Sequence, residues 1–433
     1  MIKISPYWPF NPLKTPFFYG WVVWLFSTLG FLFSIPGQTM GMAVFTDPLI
    51  DVLGLSRTEL SMAYLGGTVA SSLFLTRAGR WYDRFGGRIM IFFTSLALGA
   101  MVFFISITDL LADALGGGAF FLILIGYFGV RFFGQGILAS CSRNVLLLWF
   151  VKRRGLVTGI RGIFVSFGFS VAPLFLAWLI MTFEWRVALW VMAGVVGILF
   201  STLALVFVRD NPASIGLKPD GGQLKEGSEH VAFGESENKT LDQARRDPVF
   251  WIYSCSLGMH AMFGTALTFH IVSIFEEAGR GKAEAFAYFF PSALFSTSMN
   301  LLASWLVDKH QLKPFLVLML VCFLVGAVGL LHLDTSWGYW MLVAGFGSGG
   351  GLWGVISNLA NIRLFGALNL GAISGLSTSF SVFASAIGPA AFALGYDYVG
   401  SYDLGIKLCI VLLAVLLCTA LMLRQNEIKS QSL

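Results

Sequence analysis

The segment Gly79-Arg-Trp-Tyr-Asp83-Arg-Phe-Gly-Gly-Arg88 separates two apolar stretches, residues 59–78 and 89–108. Each stretch has the length of about 20 residues that an α-helix needs to cross the ~30 Å hydrocarbon layer of a membrane. A short loop of Gly, Asp and Arg between two such stretches therefore indicates a turn at one face of a membrane. Similar apolar stretches follow one another along the whole chain.

The composition points to the same class of protein. Of the 433 residues, 57% are hydrophobic and 12% charged, whereas ordinary soluble domains have roughly 25% charged residues. The net charge of +5 is too small on so apolar a chain to indicate nucleic acid binding. Membrane lipid is the expected surrounding, and the 42 phenylalanines and 49 glycines fit lipid-facing surfaces and close helix packing. A soluble multidomain enzyme is excluded.

Twelve apolar stretches predict twelve transmembrane helices in an all-α integral membrane protein. We expect two pseudo-symmetric six-helix bundles, residues 1–208 and 248–433, joined by a linker at 209–247. The first stretch is long enough to be retained as a span rather than removed as a signal peptide. The predicted spans lie near residues 17–45, 59–78, 89–108, 119–148, 156–182, 187–208, 249–275, 284–306, 314–333, 337–364, 370–397 and 402–423.

The polar linker and the loop charges predict the orientation. The linker contains six Lys or Arg and eight Asp or Glu and is expected to be largely disordered. The loops on the linker side hold fifteen further Lys or Arg, with Arg161 counted among them, against five on the opposite side. Because positively charged loops stay in the cytoplasm, we expect a multi-pass protein of the inner (plasma) membrane with both termini cytoplasmic.

The two halves show signs of a duplication. The loop that ends at Arg88 has a degenerate counterpart in Ser304-Trp-Leu-Val-Asp308-Lys-His-Gln-Leu-Lys313, at the same place in the second half. Pro173 in the fifth span corresponds to Pro389 in the eleventh. The matching order of these features favours a repeated six-helix unit. In spans 4 and 10, Gly134, Gly136, Ser142 and Phe150 recur 215 positions later as Gly349, Gly351, Ser357 and Phe365.

The first of these loops resembles the signature of the major facilitator superfamily. The family pattern of Gly, three residues, Asp, Arg, one residue, Gly and basic residues is matched by Gly79, Asp83, Arg84, Gly86 and Arg88. The resemblance covers essentially the whole chain. It implies a secondary transporter whose two bundles rock about a central site by alternating access.

Further stretches resemble a bacterial branch near the monocarboxylate transporters and the oxalate:formate antiporters. They are Tyr19-Gly-Trp-Val-Val, Arg209-Asp-Asn-Pro-Ala-Ser-Ile-Gly-Leu-Lys-Pro-Asp-Gly221 and Gly388-Pro389 with Tyr396-Asp-Tyr-Val-Gly-Ser-Tyr402. Eukaryotic monocarboxylate carriers share a Lys in span 1 and an Asp and Arg in span 8. Here span 1 offers Gln38, and span 8 has no charge between Glu284 and Asp308, so their proton-and-lactate mechanism does not transfer.

The two related loops are candidate gates. A carboxylate at the mouth of the bundle can accept hydrogen bonds from a helix N-terminus, and basic neighbours can pair across the bundle interface. Such contacts would hold one state closed and break when the halves rock. The alternative is a loop that only fixes topology. The candidate gating residues are Gly79, Asp83, Arg84, Gly86, Arg88, Asp308 and Lys309.

Arg131 and Arg143 lie within the fourth predicted span, where a guanidinium is costly and should face the bundle interior, a partner or water. They are twelve residues apart and therefore point about 120° apart around a helix. Arg143 is a candidate for binding a carboxylate with both guanidinium nitrogens; alternatively it is a structural Arg that snorkels. Arg131 suits a hydrogen-bonded role between helices and, by resemblance to the family, a part in proton coupling.

His270 in span 7 is the candidate proton carrier, because no acidic residue lies in the middle of a predicted span and His titrates near neutral pH. It is also a candidate substrate contact, although a buried His such as His260 is more often a core residue. Three uncharged polar residues, Gln38, Asn300 and Asn358, are further candidates for substrate contact, with interhelical hydrogen bonding as the alternative.

No nucleophile motif and no metal-ligand spacing is present, so neither catalysis nor a cofactor is expected. The leading prediction is a monomeric carrier that moves a small organic anion, monocarboxylate-like, with protons as the candidate coupling ion. Two alternatives stay open: a carrier for a neutral or zwitterionic solute in which both Arg are structural, and a transporter-like receptor without net transport.

Overall fold

A computed structural model of the chain describes residues 4–221 and 238–423. In this part of the chain the long helices of the first half pack around one buried apolar core and those of the second half around another. The first six are α1 (Gly20–Leu32), α2 (Arg57–Phe85), α3 (Gly87–Ser106), α4 (Ala119–Trp149), α5 (Arg154–Phe183) and α6 (Trp185–Phe207). The second six are α7 (Pro248–Glu277), α8 (Phe289–Val307), α9 (Leu312–Leu331), α10 (Ser336–Phe365), α11 (Leu370–Val399) and α12 (Asp403–Met422).

Helix ends are fixed by local sequence signals. Ser56 and Glu59 form a capping box at the start of α2, and Asp247 caps α7 in front of Pro248. At the other end of α2, Gly86 has a φ of 83°, which glycine adopts without strain, and α3 starts at the next residue. The loop from Gly79 to Arg88 is therefore mostly helical, with one sharp corner at Gly86.

Among the described residues, nine of the long helices are both long and apolar enough to cross a membrane. The other three, α2, α8 and α10, have the required length but are less apolar than this limit. The all-α prediction is confirmed, while the count of twelve spans stays a prediction.

The first predicted span, residues 17–45, is not one continuous helix. After α1 the chain forms a 3₁₀ turn at Ile35–Gly37 and a short helix at Thr39–Ala43. Opposite the break, α4 contains a π-helical stretch at Arg131–Leu138. A Cβ atom on Gly37 would overlap with the backbone of Gly134 and its neighbours, so the two irregular segments fit closely against each other.

The halves meet through two equivalent helix pairs, α2 with α11 and α5 with α8. The second half repeats the first, so that α2 corresponds to α8 and α5 to α11. The two-fold pseudo-symmetry between the halves therefore relates one pair to the other. At the first crossing, a Cβ atom on Gly79 would overlap with the carbonyl oxygen of Gly371. At the second, a Cβ on Gly155 would overlap with the carbonyl oxygen of Ser304. Both contacts lie on the side of the molecule that carries the linker, which we call the linker face.

Two predictions need correction here. The linker was expected to be largely disordered, but its described flanks are ordered. Residues Pro212–Ile215 form a 3₁₀ turn capped by Asn211, and Leu241–Arg246 form a helix with a capping box between Thr240 and Gln243. These side-chain caps satisfy backbone amides that would otherwise need water. Residues 222–237, the middle of the linker, lie outside the described residues, as do the loop cations Lys3, Arg424 and Lys429.

The second correction concerns Arg161, which we assigned to the loops of the linker side. It lies two turns inside α5, is buried and is 3% exposed. The apolar stretch predicted at 156–182 already contained this position, and burial by α1 and the neighbouring helices keeps it from reaching the surface. Arg161 is therefore a buried arginine inside a long helix, in addition to Arg131 and Arg143 in α4.

Candidate functional site

The carboxylate of Asp83 bridges the two halves at the linker face. It accepts a hydrogen bond from the backbone amide of Gly371, at 2.7 Å, and one from Ala372, at 2.8 Å. Both amides belong to the first turn of α11, whose N–H groups have no partner within the helix. The carboxylate also faces the positive end of the helix dipole. Asp83 therefore clamps the end of α2 to the start of α11.

Asp308 makes the equivalent clamp in the second half. It accepts hydrogen bonds from the amides of Gly155, at 2.7 Å, and Leu156, at 3.1 Å, in the first turn of α5. Burial raises the pKa of the Asp308 carboxyl, and the two amides together with Arg154 and Arg363 oppose this rise. The two clamps close the linker face at both helix pairs, α2 with α11 and α5 with α8.

Other hydrogen bonds extend the closure deeper into the molecule. The side-chain amide of Asn144 on α4 donates to the hydroxyl of Ser374 on α11 at 2.9 Å, and the hydroxyl of Ser379 donates to the carbonyl of Ser72. Cys141 is buried at the same interface, in a crevice bordered by Gly79 and Gly371. The contact between α2 and α11 thus runs for more than two turns beyond the clamp.

The remaining residues of the predicted gate act within their own half or lie on the surface. Arg88 donates to the carbonyls of Leu205, Ser5 and Trp8, which ties the N-terminal segment to the end of α6. The Cβ position of Gly86 lies against Asp210, and burial raises the pKa of that carboxyl. The guanidinium of Arg84 lies over the ring of Phe85, and Lys309 lies over Trp305. A gating role for these residues stays a prediction.

Arg143 projects from α4 toward the second half. Its Nη2 lies 3.4 Å from the hydroxyl oxygen of Thr378 on α11, a long contact for a charged donor. Within residues 4–221 and 238–423, Arg143 forms no ion pair. Its neighbours on α4 are bonded to α1 and α11: the carbonyl of Ser142 accepts from Ser27, and Asn144 contacts Ser374. Arg143 is a permanent cation where the halves meet, without a carboxylate partner.

Arg161 is the residue that the sequence reasoning missed. Its guanidinium carbon lies 4.6 Å from the ring centre of Phe31 on α1, and its Nε is fully buried without a hydrogen-bond partner in the described structure. Arg161 on α5 is thus a further arginine inside a long helix, in addition to Arg143 on α4.

Arg131, by contrast, has a well-defined place in the first half. Its Nη1 donates to the carbonyl of Gly37 at 3.1 Å, in the break of the first helix, and the guanidinium lies over the ring of Tyr64 at 5.2 Å. The hydroxyl of Tyr64 in turn donates to Thr39 at 2.9 Å. Arg131 thus satisfies a carbonyl that the break leaves without a helical partner, which is a hydrogen-bonded role between helices.

His270 lies in the half of α7 remote from the linker face, between α11 and the start of α12. Its Nε2 is 2.9 Å from the carbonyl oxygen of Pro389, and its Nδ1 is 3.3 Å from the hydroxyl of Tyr402. Because a carbonyl only accepts, Nε2 carries the hydrogen, and Nδ1 of the neutral ring accepts from Tyr402. His260 lies elsewhere, stacked on Phe323 with its Nδ1 unpartnered in the described residues. His270 is thus held between α11 and the start of α12, away from the linker face.

The three uncharged candidates bond within their own halves. Gln38 donates to the hydroxyl of Ser34 at 3.2 Å, and Asn358 donates to the carbonyl of Gly354, one turn back in α10, at 2.6 Å. Asn300 donates to the carbonyl of Gly351 at 3.1 Å. Asn300 also reaches the first half, because its Oδ1 lies 3.0 Å from the Cβ position of Gly162, the residue after Arg161.

Comparison with known proteins gives the family. The sequence model of the Major Facilitator Superfamily matches residues 26–389. No curated protein sequence matches the chain. The chain shares its fold with solved structures at low sequence identity. Three examples align with it over almost their whole length.

These structures differ in what they transport. A proton:xylose symporter bound to 6-bromo-6-deoxy-D-glucose has a TM-score of 0.69 and 14% identity, covering 94% of this chain and 96% of its own. The E. coli fucose:proton symporter has a TM-score of 0.62 and 15% identity, covering 95% and 100%. A human organic anion transporter has a TM-score of 0.61 and 14% identity, covering 94% and 99%. At these identities the likeness shows the fold and not the substrate.

Proposed function

The chain belongs to the Major Facilitator Superfamily of transporters, and we propose that it moves a small organic anion across the membrane by alternating access, with a proton as the coupling ion. The observation behind this proposal is Arg143, a half-buried arginine at the junction of the halves that forms no ion pair in the described residues. A cation in a site of low dielectric attracts an anion strongly, and the planar guanidinium matches a carboxylate.

The sidedness of the cycle follows from the charge bias of the loops. With the linker face in the cytoplasm, as the fifteen-to-five excess of Lys and Arg favours, the Asp83 and Asp308 clamps close the cytoplasmic side. The state described is then one in which substrate enters from outside. The proposal includes twelve spans, the bundles 1–208 and 248–433, cytoplasmic termini, an inner-membrane location and a monomer.

The finer substrate class rests on sequence resemblance. The stretch Tyr19-Gly-Trp-Val-Val and the segment from Arg209 to Gly221 support a place in the bacterial branch near the monocarboxylate and oxalate:formate carriers. A monocarboxylate-like anion is therefore the first substrate class to test. Proton coupling would use His270, with Arg131, which supports the broken first helix, as a second candidate.

The test is uptake of labelled monocarboxylates into proteoliposomes, with and without an imposed pH gradient. We expect uptake that the gradient stimulates, and we expect Arg143→Ala to abolish it while thermal stability is retained. The matched control is Arg57→Ala, because Arg57 is exposed and pairs with Asp47 on the surface.

Three other outcomes of these experiments would each support one of the alternative interpretations. Normal anion uptake by Arg143→Ala would return this residue to a structural role. Flux with a neutral or zwitterionic solute, and none with any organic anion, would overturn the proposed substrate class. Ligand binding that raises the melting temperature without any flux would identify a receptor instead of a carrier.

A further inference from the structure

We propose that Asp220 and Asn238, in the two described flanks of the linker, are positioning residues for the closure of the linker face. Each holds the loop in front of one of the two helices whose first amides bind a clamp carboxylate. The inference rests on the proposed function for alternating access but not for the substrate, and labelling without substrate tests it separately from anion uptake. It gives the linker flanks a task beyond joining the two halves.

Asp220 holds the loop between α4 and α5. Its Oδ2 accepts hydrogen bonds from the backbone amides of Val151 and Lys152, each at 2.8 Å. The amide of Asp220 donates to the carbonyl of Trp149, the last residue of α4, at 3.0 Å. Lys152 lies two residues before α5 begins. These bonds therefore fix the path of the chain into the helix start that receives Asp308.

Asn238 holds the loop between α10 and α11 in the same manner. Its Oδ1 accepts hydrogen bonds from the amides of Ala367, at 3.0 Å, and Leu368, at 3.2 Å. The next residue, Lys239, donates its amide to the carbonyl of Phe365, the last residue of α10, at 3.0 Å. Leu368 again lies two residues before a helix start, here that of α11, which receives the other clamp.

These two sets of contacts, which we call the linker docks, follow the repeat of the fold. The loop between α4 and α5 corresponds to the loop between α10 and α11. In each, a side-chain oxygen of the linker binds two consecutive amides, and a linker amide binds the end of the preceding helix. Loop amides in front of a helix have no helical partner. The two ends of the linker supply that partner at equivalent places.

The backbone at Asp220 supports a role for its side chain. Its φ is 60°, in the left-handed region that glycine adopts freely and a residue with a Cβ atom adopts at a cost. Two hydrogen bonds to a charged carboxylate offset this cost. In the second dock, Gly366 provides the space: its φ is 85°, and a Cβ atom there would overlap with the Oδ1 of Asn238.

Each dock lies within one half, whereas each clamp joins the two halves. Asp220 follows α6 and supports α5, which receives Asp308 from the second half. Asn238 precedes α7 and supports α11, which receives Asp83 from the first half. The docks can therefore persist while the halves rock. They act on closure by keeping the amides of a helix start aligned with the carboxylate, because hydrogen bonds weaken steeply with misalignment.

The experiment measures opening at each helix pair in the full-length protein, reconstituted in lipid without substrate. Maleimide labelling of the native Cys141 reports on α2 and α11. The variant Ser304→Cys reports on α5 and α8, because Ser304 is 1% exposed and its carbonyl lies against the Cβ position of Gly155. Both rates come from mass spectrometry of the labelled peptide, normalised to the denatured protein.

The variants separate the acceptor oxygen from the backbone conformation. Asp220→Gly removes the acceptor and suits the left-handed backbone, whereas Asp220→Asn keeps an acceptor oxygen. Asn238→Ala and Asn238→Asp make the same comparison of acceptors at the second dock. Asp242→Ala is the matched control in the linker, since Asp242 is exposed and pairs with Arg245 on the surface.

We expect Asp220→Gly to raise the labelling rate of the Ser304→Cys reporter about tenfold, with a smaller rise at Cys141. Asn238→Ala should raise the rate at Cys141 about threefold, because this dock is more exposed. The variants that keep an acceptor, and the surface control, should label at close to the wild-type rate. Asp220→Gly combined with Asp308→Ala should label no faster than Asp308→Ala alone, because the dock acts through the clamp.

Other results would contradict the inference. Wild-type labelling rates in Asp220→Gly and Asn238→Ala, under conditions in which Asp83→Ala labels faster, would show that the docks do not support the clamps. Equal acceleration at both reporters with a lower melting temperature would show a general loss of stability instead of positioning. Additive effects of Asp220→Gly and Asp308→Ala would show that the two residues act independently.

Discussion

The carboxylate of Asp83 accepts a hydrogen bond from the backbone amide of Gly371 at 2.7 Å, although the two residues are 288 positions apart in the chain. Asp308 and Gly155 repeat the relationship at 2.7 Å in the other pair of helices. The same device therefore closes the linker face twice, once from each half. It joins a helix end to the start of a helix in the opposite half, where backbone N–H groups lack partners.

Removing either carboxylate should open the linker face. Asp83→Ala leaves the amides of two buried residues, Gly371 and Ala372, without an acceptor, at a cost of about 1–3 kcal/mol per unsatisfied group. Asp308→Ala should cost less, because Gly155 is buried but Leu156 is exposed. We expect faster maleimide labelling of Cys141, which is buried at the α2–α11 interface, with roughly a tenfold effect for Asp83→Ala. Mass spectrometry of the Cys141 peptide, normalised to the denatured protein, gives the rate.

Asp47→Ala is the matched control, since Asp47 is exposed and pairs with Arg57. Its labelling rate should equal that of the wild type. If Cys141 stays fully protected in both clamp variants, the clamps do not hold the closed state.

The glycines at the helix crossings should not tolerate a side chain. A Cβ atom on Gly79 or Gly371 would overlap with the carbonyl oxygen of the other residue, so Gly79→Ala and Gly371→Ala must separate α2 from α11. We expect a lower melting temperature and faster Cys141 labelling. Gly194→Ala in α6 is the control, because its Cβ would meet no atom within 4 Å and alanine favours a helix. Equal stability of all three variants would contradict the close crossing.

Arg88 should act in its own half rather than as a gate. It donates to the carbonyls of Leu205, Ser5 and Trp8, so Arg88→Ala removes three hydrogen bonds that hold the N-terminal segment and should lower the melting temperature. The labelling rate of Cys141 should rise far less than in Asp83→Ala. A rate equal to that of Asp83→Ala would show that Arg88 contributes to closure across the interface.

Arg131 should stabilise the broken first helix. Arg131→Gln removes a charged hydrogen bond to the carbonyl of Gly37, and we expect a loss of about 1.5–3 kcal/mol in stability. The measurement is the melting temperature, with Arg77→Gln as the control, because Arg77 is exposed over Phe74. If Arg131→Gln is as stable as the wild type yet loses pH-dependent uptake, Arg131 serves coupling and not structure.

His270 should determine the response to a pH gradient. The Nδ1 of its neutral ring accepts from Tyr402 and is the atom that can take a proton. His270→Gln keeps a polar side chain of similar reach, and we expect its uptake to proceed without stimulation by the gradient. His310→Gln is the control, since His310 is exposed at the linker face and contacts the carbonyl of Leu306. Unchanged stimulation in His270→Gln would assign the proton to another group.

Features that depend on local pattern could be predicted from the sequence. Apolar stretches located ten of the twelve long helices to within about five residues, and the fourth predicted span, 119–148, agrees closely with α4 at Ala119–Trp149. The exceptions are α1, which ends at Leu32 within the predicted span 17–45, and α2, which continues to Phe85 beyond the predicted end at residue 78. The Asp83 loop was recognised from its spacing, together with the kind of partner that its carboxylate would take. The break after Leu32 was missed, because the length of the apolar stretch outweighed the turn signal of Pro36-Gly37 within it.

Charge in loops was less informative about individual residues. Counting Lys and Arg by loop placed Arg161 at the surface, because the boundary of an apolar stretch near a basic cluster is uncertain by one or two helical turns. Arg131 and Arg143 were recognised as unusual, but the sequence could not distinguish their roles. Their environments differ through packing: Arg131 has the carbonyl of Gly37 and the ring of Tyr64, whereas Arg143 has only a long contact with Thr378.

By itself, the sequence determined the class of the protein, because the length of an apolar stretch and its content of charge directly measure the cost of placing it in lipid. It also indicated the two-fold repeat and the loop that carries Asp83. The tertiary structure alone decided that Asp83 meets Gly371, that Arg161 is buried against Phe31, and that Arg131 supports the broken helix. These relationships depend on how helices rotate and cross, and that is fixed by contacts between residues far apart in the chain.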